Sequence, residues 1–250
     1  MIWYEPAKPT IHSGYMSQPL QLPLSVQLRD DATFANFYPG ANDSLVNMLD
    51  LEKCPEGIEP ESFLYLYGAS GSGCSHLLQA ACHQSDRLGM RSAYFPMQEM
   101  VDYPPRILEG FDALDLICLD NIEAIAGHRM WEEAIFNLFN ELREGGKRLL
   151  VAGHCPPRQL PLELPDLISR LSWGLVFHVQ PLGDNDKVMA LRLRAHLRGL
   201  DLSEDVARFI LNRSPRTMQS LFDVLARLDG ASLRAKRKLS IPFVKEVMSW

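Results

Sequence analysis

The sequence predicts an α/β protein: a five-stranded parallel sheet with helices on both faces, followed by a small all-helical domain. Three observations carry this reading. Short apolar runs alternate with helical patterns between residues 62 and 179. Strand signals stop at Pro181-Leu182-Gly183, and helical patterns follow at 184–198, 203–213, 217–229 and 240–249. Residues 62–81 read in order as buried strand, Gly/Ser-rich turn and helix, the context that a phosphate-binding loop requires.

The bulk numbers narrow the class. A chain of 250 residues, 46% hydrophobic and 22% charged, is long enough for one or two domains with ample core. No run of about 18 apolar residues exists, so no membrane span is expected. The start, Met1-Ile2-Trp3-Tyr4-Glu5-Pro6, lacks the basic and apolar regions of a signal peptide, and with the cysteine usage below a reducing cytoplasm is the expected location. The five cysteines form no C-x-x-C, and Cys82 and Cys118 fall in apolar patterns that suit core positions. A net charge of -6 argues against a large nucleic-acid footprint. The basic cluster at 234–238 reads as a solvated helix end.

The elements can be justified in order. Residues 1–20 are rich in Pro, Ser and Gly, lack periodicity and read as a disordered tail, with Met16 a second candidate start. Residues 21–28 put apolar groups at alternate positions. They suit an edge strand or an extended peptide that docks in another protein's groove, and the pattern alone favours the edge strand. A compact aromatic loop spans 30–40, and Asn42 or Asp43 then caps a helix through Leu51. Strands follow at 62–67, 91–96, 114–120, 148–153 and 174–179. Residues 97–110 are weakly helical, with Pro104-Pro105 in their middle. Between the third and fourth strands, 128–144 is amphipathic, with Trp131, Ala134, Ile135, Leu138, Phe139 and Leu142 on its apolar face, and Gly145-Gly146 ends it. A short helix at 164–171 precedes the fifth strand.

Chemistry concentrates at two strand ends. Gly68 and Gly73 have Walker A spacing, and Ser75 stands where its hydroxyl would ligate Mg²⁺. Gly71, Ser72, Gly73 and Cys74 would offer backbone amides to phosphates, with Ala69 and Ser70 completing the loop. Cys74 occupies the lysine position, and a thiol cannot replace that point charge. A glycine turn without ligand is nearly as good an account of these residues alone. At the end of the third strand, Asp120 suits a Walker B carboxylate holding Mg²⁺; alone it would equally suit a turn cap. Asn121 follows where many ATPases carry a base, and an amide takes no proton.

Thr33-Phe34-Ala35-Asn36-Phe37, the glycine loop, Leu119-Asp120-Asn121-Ile122 and Ser169-Arg170-Leu171-Ser172-Trp173-Gly174 stand in the order found in AAA+ proteins of the DnaA family, and residues 21–250 resemble that family. The resemblance implies an AAA+ P-loop α/β domain over 29–182 and a helical lid domain over 183–250. It turns 21–28 into a clamp-binding peptide, in which Gln21 meets the clamp surface and Leu22, Leu24 and Val26 fill its pocket. It implies a negative regulator of replication initiation that holds ADP or another nucleoside diphosphate, with Mg²⁺ compatible. Its implied partners are DnaA and the sliding clamp of DNA polymerase III, with DNA reached mainly through the clamp and self-association open through AAA+ faces. Arg170 becomes an arginine finger that stimulates ATP hydrolysis by DnaA in trans; the residue-level alternative is an ion pair with Asp166. Phe37 and Tyr38 would line the base side of the pocket, or simply pack in the core. Three positions depart from the family pattern: Cys74 replaces a basic residue, His154 stands at the first sensor, and Gln219 stands at the second-sensor arginine, with Arg216 one turn away as a substitute. The family's helix-turn-helix DNA-binding domain has no room before Trp250. The competing functions are an active P-loop ATPase of the helicase-loader or clamp-loader type, against which Cys74 and Asn121 speak, and a structural module with an empty pocket.

Overall fold

Runs such as Leu116-Ile117-Cys118-Leu119 are apolar on both alternating faces, so their strands must be covered on both sides. The computed structural model, which describes residue 28, residues 32–55, residue 57 and residues 59–250, has that arrangement. Strands β1 (Phe63–Tyr67), β2 (Ser92–Pro96), β3 (Leu116–Asp120), β4 (Arg148–Gly153) and β5 (Leu175–His178) form one sheet in the order β2-β3-β4-β1-β5. Every pairing is parallel, with Tyr65 beside both Val151 and Val176. The tail at 1–20 and the peptide residues Gln21, Leu22, Leu24 and Val26 lie outside the described residues.

Helices α1 (Asp43–Leu49) and α2 (Cys74–Arg87) cover one face, over Leu64, Leu66, Leu116, Cys118, Leu150 and Ala152. Helices α3 (Met97–Met100), α4 (Arg129–Glu144) and α5 (Pro165–Leu171) cover the other, over Tyr65, Ile117, Leu119, Leu149 and Val151. The odd and even positions of each strand therefore feed separate cores. The lid consists of α6 (Asp184–Leu197), α7 (Glu204–Arg213), α8 (Met218–Ala235) and α9 (Ile241–Met248), packed around their own core of Leu191, Ile210, Leu221, Leu225 and Phe243. Among the described residues no helix is long and apolar enough to cross a membrane.

The structure differs from the sequence reading in detail. Asn42 precedes α1, but its side chain does not cap the helix. It exchanges hydrogen bonds with the Gln180 backbone, donating to the carbonyl (3.0 Å) and accepting from the amide (2.8 Å), and so ties the front of the domain to the end of the sheet. Helix α1 stops at Leu49, where Asp50 starts a 3₁₀ turn and accepts from Gln84 Nε2 at 2.6 Å. Strand β3 begins at Leu116, because Asp115 is engaged by the Arg91 amide and Lys147 Nζ. Helix α8 continues through Gly230 to Ala235, where Lys236 terminates it in the left-handed region.

One polar feature of the core was not legible beforehand. Glu132 in the first turn of α4 has no solvent exposure, and its carboxylate accepts from the amides of Gly127, Glu163 and Leu164 at 2.7–3.1 Å. It fixes the segment that enters α5. Glutamine at this position would oppose an NH₂ group to backbone donors. We expect Glu132→Gln to cost about 1.5–3 kcal/mol, the range for hydrogen bonds to a charged group, measured by urea unfolding. A loss below about 0.5 kcal/mol, the size of an ordinary surface change, would show that these bonds do not organise the segment.

Candidate functional site

All five strands point their carboxyl ends to one edge of the sheet, so the loops after β1, β3 and β4 converge there. A cavity of about 300 Å³ lies at this edge, roofed by the lid. The loop from Gly68 through Ala69, Ser70, Gly71 and Ser72 to Gly73 forms its floor and leads directly into α2. Gly73 has φ +107°, and a Cβ built on it would lie 2.7 Å from Phe37 Cε2. Both the backbone conformation and the aromatic neighbour exclude a side chain there.

Among the described residues the amides of Gly71, Gly73, Cys74 and Ser75 show no backbone carbonyl acceptor, and all four residues line the cavity. The Ser72 amide, expected among the phosphate donors, donates instead to the Ala69 carbonyl (2.9 Å) and closes the turn. Its hydroxyl remains, 3.4 Å from Cys74 Sγ. With the N-terminus of the 14-residue α2 behind it, this cradle suits an anion.

The side chains around it are mostly neutral. Burial pushes the Cys74 thiol up to about 11, against the opposing effect of its bond with Ser72. Asp120, 3% exposed at the end of β3, accepts from the Tyr94 hydroxyl (2.5 Å) and the Asn121 amide (3.0 Å). Ser75 and Asp120 both line the cavity, and their hard oxygens suit Mg²⁺ together with phosphate oxygens and water. Asn121 sits in the left-handed region beside them. His154, after β4, also lines the cavity and is held through Nδ1 by Glu123.

Phe37 and Tyr38 both line the cavity, and Phe37 packs 5.3 Å from the His76 ring as well, so lining and core packing coexist there. From the lid, Gln219 reaches the cavity and hydrogen-bonds Asp223 (2.8 Å). Arg216 does not line it; this residue is paired with Asp184 at 2.8 Å. The expected one-turn relation to Gln219 fails because Thr217 is the extended N-cap of α8, which leaves Arg216 outside the helix. Sequence reasoning missed Arg194, which lines the cavity from α6 while only 3% exposed. The available signal was an arginine amid the apolar positions Leu191 and Ala195 of a helix.

Arg170 lies elsewhere, in a surface hollow that shares no residue with the cavity. Among the described residues it makes no ion pair with Asp166 or any other carboxylate. Its guanidinium rests 5.8–5.9 Å from the ring centres of Phe136, Phe139 and Trp173. Trp173 is more than half exposed and carries Arg143 over its ring at 5.0 Å. The turn that follows is tight, since any Cβ on Gly174 would collide with the Phe63 carbonyl.

The thiol gives a direct check on the cavity's electrostatics. With a folded pKa two units above the ordinary 9.0, Cys74 should react with N-ethylmaleimide at pH 8 roughly 100-fold more slowly than in the urea-unfolded chain. Peptide mass spectrometry reads the ratio, and equal rates would contradict a buried, protonated thiol. The sign for stability follows from the same shift. Ionisation favours the unfolded chain, so this contribution is intact below about pH 9 and is lost as pH rises towards 11.

Comparison with known proteins gives these features a family. The model of the bacterial DnaA ATPase domain matches residues 28–178, and the model described as "Hda, lid domain" matches residues 184–248. Domain III of the Thermotoga maritima replication initiation protein DnaA is 22% identical, with a TM-score of 0.73, covering 89% of this chain and 98% of that one. AMPPCP-bound DnaA from Aquifex aeolicus is 21% identical with a TM-score of 0.66, covering 80% of this chain and 65% of that one. The Thermotoga maritima RuvB Holliday junction branch migration motor is more distant, 16% identical with a TM-score of 0.57, covering 87% and 73%. The sheet order, the glycine loop opening α2 and the helical lid are thus those of a DnaA-like AAA+ protein, and the chain belongs to the bacterial DnaA ATPase-domain family.

Proposed function

We propose that this protein is a nucleotide-bound regulator of replication initiation, which holds a nucleoside diphosphate in its own cavity and stimulates ATP hydrolysis by DnaA in trans. The observation that carries the reading is the separation of two half-sites. The cavity has a phosphate cradle and the Ser75 and Asp120 oxygens, yet a neutral thiol and an amide stand where a lysine and a base would serve hydrolysis. The arginine suited to stabilising phosphoryl transfer, Arg170, sits in a separate hollow on the surface. An arginine in that place cannot reach the chain's own nucleotide and is available to a neighbour's. The relatives solved with AMPPCP support a nucleotide as the occupant. Mg²⁺ would be shared by Ser75, Asp120 and the phosphates. Docking on the sliding clamp through Gln21, Leu22, Leu24 and Val26 would bring Arg170 to DnaA on DNA.

Calorimetry tests the cavity. The missing lysine charge matters most at the β- and γ-phosphates, while backbone amides serve the inner ones. ADP should therefore bind more tightly than ATP, and Cys74→Lys should move the preference towards ATP. ATP binding as tightly as ADP in the parent chain would overturn the diphosphate assignment.

A reconstituted reaction with clamp, primed DNA and DnaA-ATP tests the finger. A planar guanidinium suits the charge that develops on the transferred phosphoryl group, and such fingers are worth on the order of 10³–10⁵ in rate in GTPases. Arg170→Ala should keep its nucleotide and clamp binding while stimulation falls by at least about 10³-fold, and Arg170→Lys should restore little. Stimulation by Arg170→Ala at the parent rate would remove Arg170 from the mechanism.

A further inference from the structure

We propose that Arg158 binds the phosphates of the nucleoside triphosphate held by a neighbouring molecule, so that the hollow around Arg170 receives a polyphosphate with two cations rather than one. This inference rests on the reading of Arg170 as a finger that acts in trans. The hollow measures about 650 Å³, within the range of ligand clefts, about 300–1,000 Å³. Among its lining residues Arg158 and Arg170 face one carboxylate, Asp166, in a chain whose net charge is -6. Among the described residues Asp166 pairs with neither arginine, and Arg158 makes no hydrogen bond, ion pair or ring contact.

Arg158 stands on a rigid turn. Its backbone belongs to the short 3₁₀ turn Pro157–Gln159. Two consecutive prolines, Pro156 and Pro157, fix φ at the start of this turn. Gln159 and Leu160 donate to the carbonyls of Pro156 and Pro157 at 2.9 and 3.2 Å and close it. Pro157 and Leu160 are buried, which anchors the chain on both sides of Arg158, while the arginine itself is exposed. Arg170 comes from a separate element, α5, with its guanidinium resting on three aromatic rings. A single carboxylate on a partner would engage one guanidinium through a two-pronged contact. Two arginines that share a hollow suit an anion with several oxygens and more than one charge, as the phosphate chain of a nucleoside triphosphate has. The difference in support divides their roles. A guanidinium already held by aromatic rings loses little freedom when the transferred phosphoryl group reaches it, which suits contact in the transition state. A long side chain without such support loses more on binding and acts mainly through its charge, which suits holding the triphosphate beforehand.

The test measures stimulation against the concentration of ATP-loaded DnaA, in the reaction with clamp and primed DNA, for the parent chain, Arg158→Ala, Arg158→Lys and Arg170→Ala. Arg158 is exposed, so its replacement leaves the core intact. Arg158→Ala should raise the half-saturating concentration about 10-fold and change the plateau by less than about threefold. Arg158→Lys, which keeps the charge, should restore most of the loss, unlike Arg170→Lys. An unchanged half-saturating concentration for Arg158→Ala would overturn the proposal, as would a collapse of its plateau to that of Arg170→Ala. A second measurement separates phosphate from protein surface as the contact. Surface plasmon resonance compares binding of the parent and Arg158→Ala to DnaA loaded with AMPPCP or with ADP, on the same clamp and DNA. The loss should be severalfold larger with AMPPCP, which keeps the third phosphoryl group. Equal losses would assign Arg158 to the partner's protein surface and overturn the proposal. Stimulation by Arg170→Ala at the parent rate would instead overturn the finger reading, and this inference with it.

Discussion

The position of β1 between β4 and β5 constrains everything else in the molecule. A strand buried on both faces and hydrogen-bonded on both edges cannot shift register without exposing two sets of apolar side chains. Leu64 and Leu66 are locked into the core with α2, Tyr65 into the core with α4. The end of β1 is therefore fixed relative to the end of β4, and the loop that begins at Gly68 has to turn there. Gly68 donates to the Gly153 carbonyl at the end of β4 (3.3 Å), which joins the two edges directly. With parallel strands, every crossover returns along one face of the sheet or the other and leaves its next loop at the same edge. The cradle, Asp120 and His154 meet because the topology gives them no alternative.

The fold was legible because its signals are local and redundant. Five apolar runs, the helical periods between them and the change of period at 181–183 each point to one architecture. The glycine loop was legible because its spacing is itself the mechanism. What escaped depends on contacts between distant segments. Asn42 looks like a helix cap in sequence, but Gln180, far away in the chain, offers it both a donor and an acceptor. Glu132 looks like a solvated helix residue in a charged stretch, and only the return of the chain at 163–164 adds two amides to the local one of Gly127. Arg216 was misplaced because periodicity was extended across a helix start that Thr217 defines. Arg194 was passed over because Lys187, Arg192 and Arg198 stand near it in the sequence, and spacing alone does not show which of them turns to the cavity.

These misses alter the electrostatic picture of the cavity. A Walker loop with cysteine in place of lysine reads, on sequence alone, as a site that has lost its positive charge. In the folded chain, backbone groups line the cavity where that charge is missing. The core side offers backbone amides, whose partial charges act at short range on inner phosphates. From the lid, Arg194 reaches the cavity wall with its guanidinium over the Phe222 ring. The amide of Asn121 takes no proton, and burial keeps the Cys74 thiol protonated.

The presentation of Arg170 follows from a single stripe on α4. Residues 132, 136, 139 and 143 recur at helical spacing on one side of that helix. Glu132 gathers the amides that enter α5, Phe136 and Phe139 lie under the Arg170 guanidinium, and Arg143 covers the ring of Trp173. Each is an interaction with the short segment between residues 163 and 174, which is too short to be stable as an isolated helix. Helix α4 therefore acts as the rigid element, and the segment carrying Arg170 is shaped against it. Aromatic stacking holds a guanidinium in place without neutralising it, whereas a carboxylate partner would have cancelled the charge. An arginine positioned in this way, with no carboxylate partner among the described residues, suits the recognition of an anionic group on another molecule. This is the physical difference between the observed arrangement and the ion pair with Asp166 that residue spacing alone would allow.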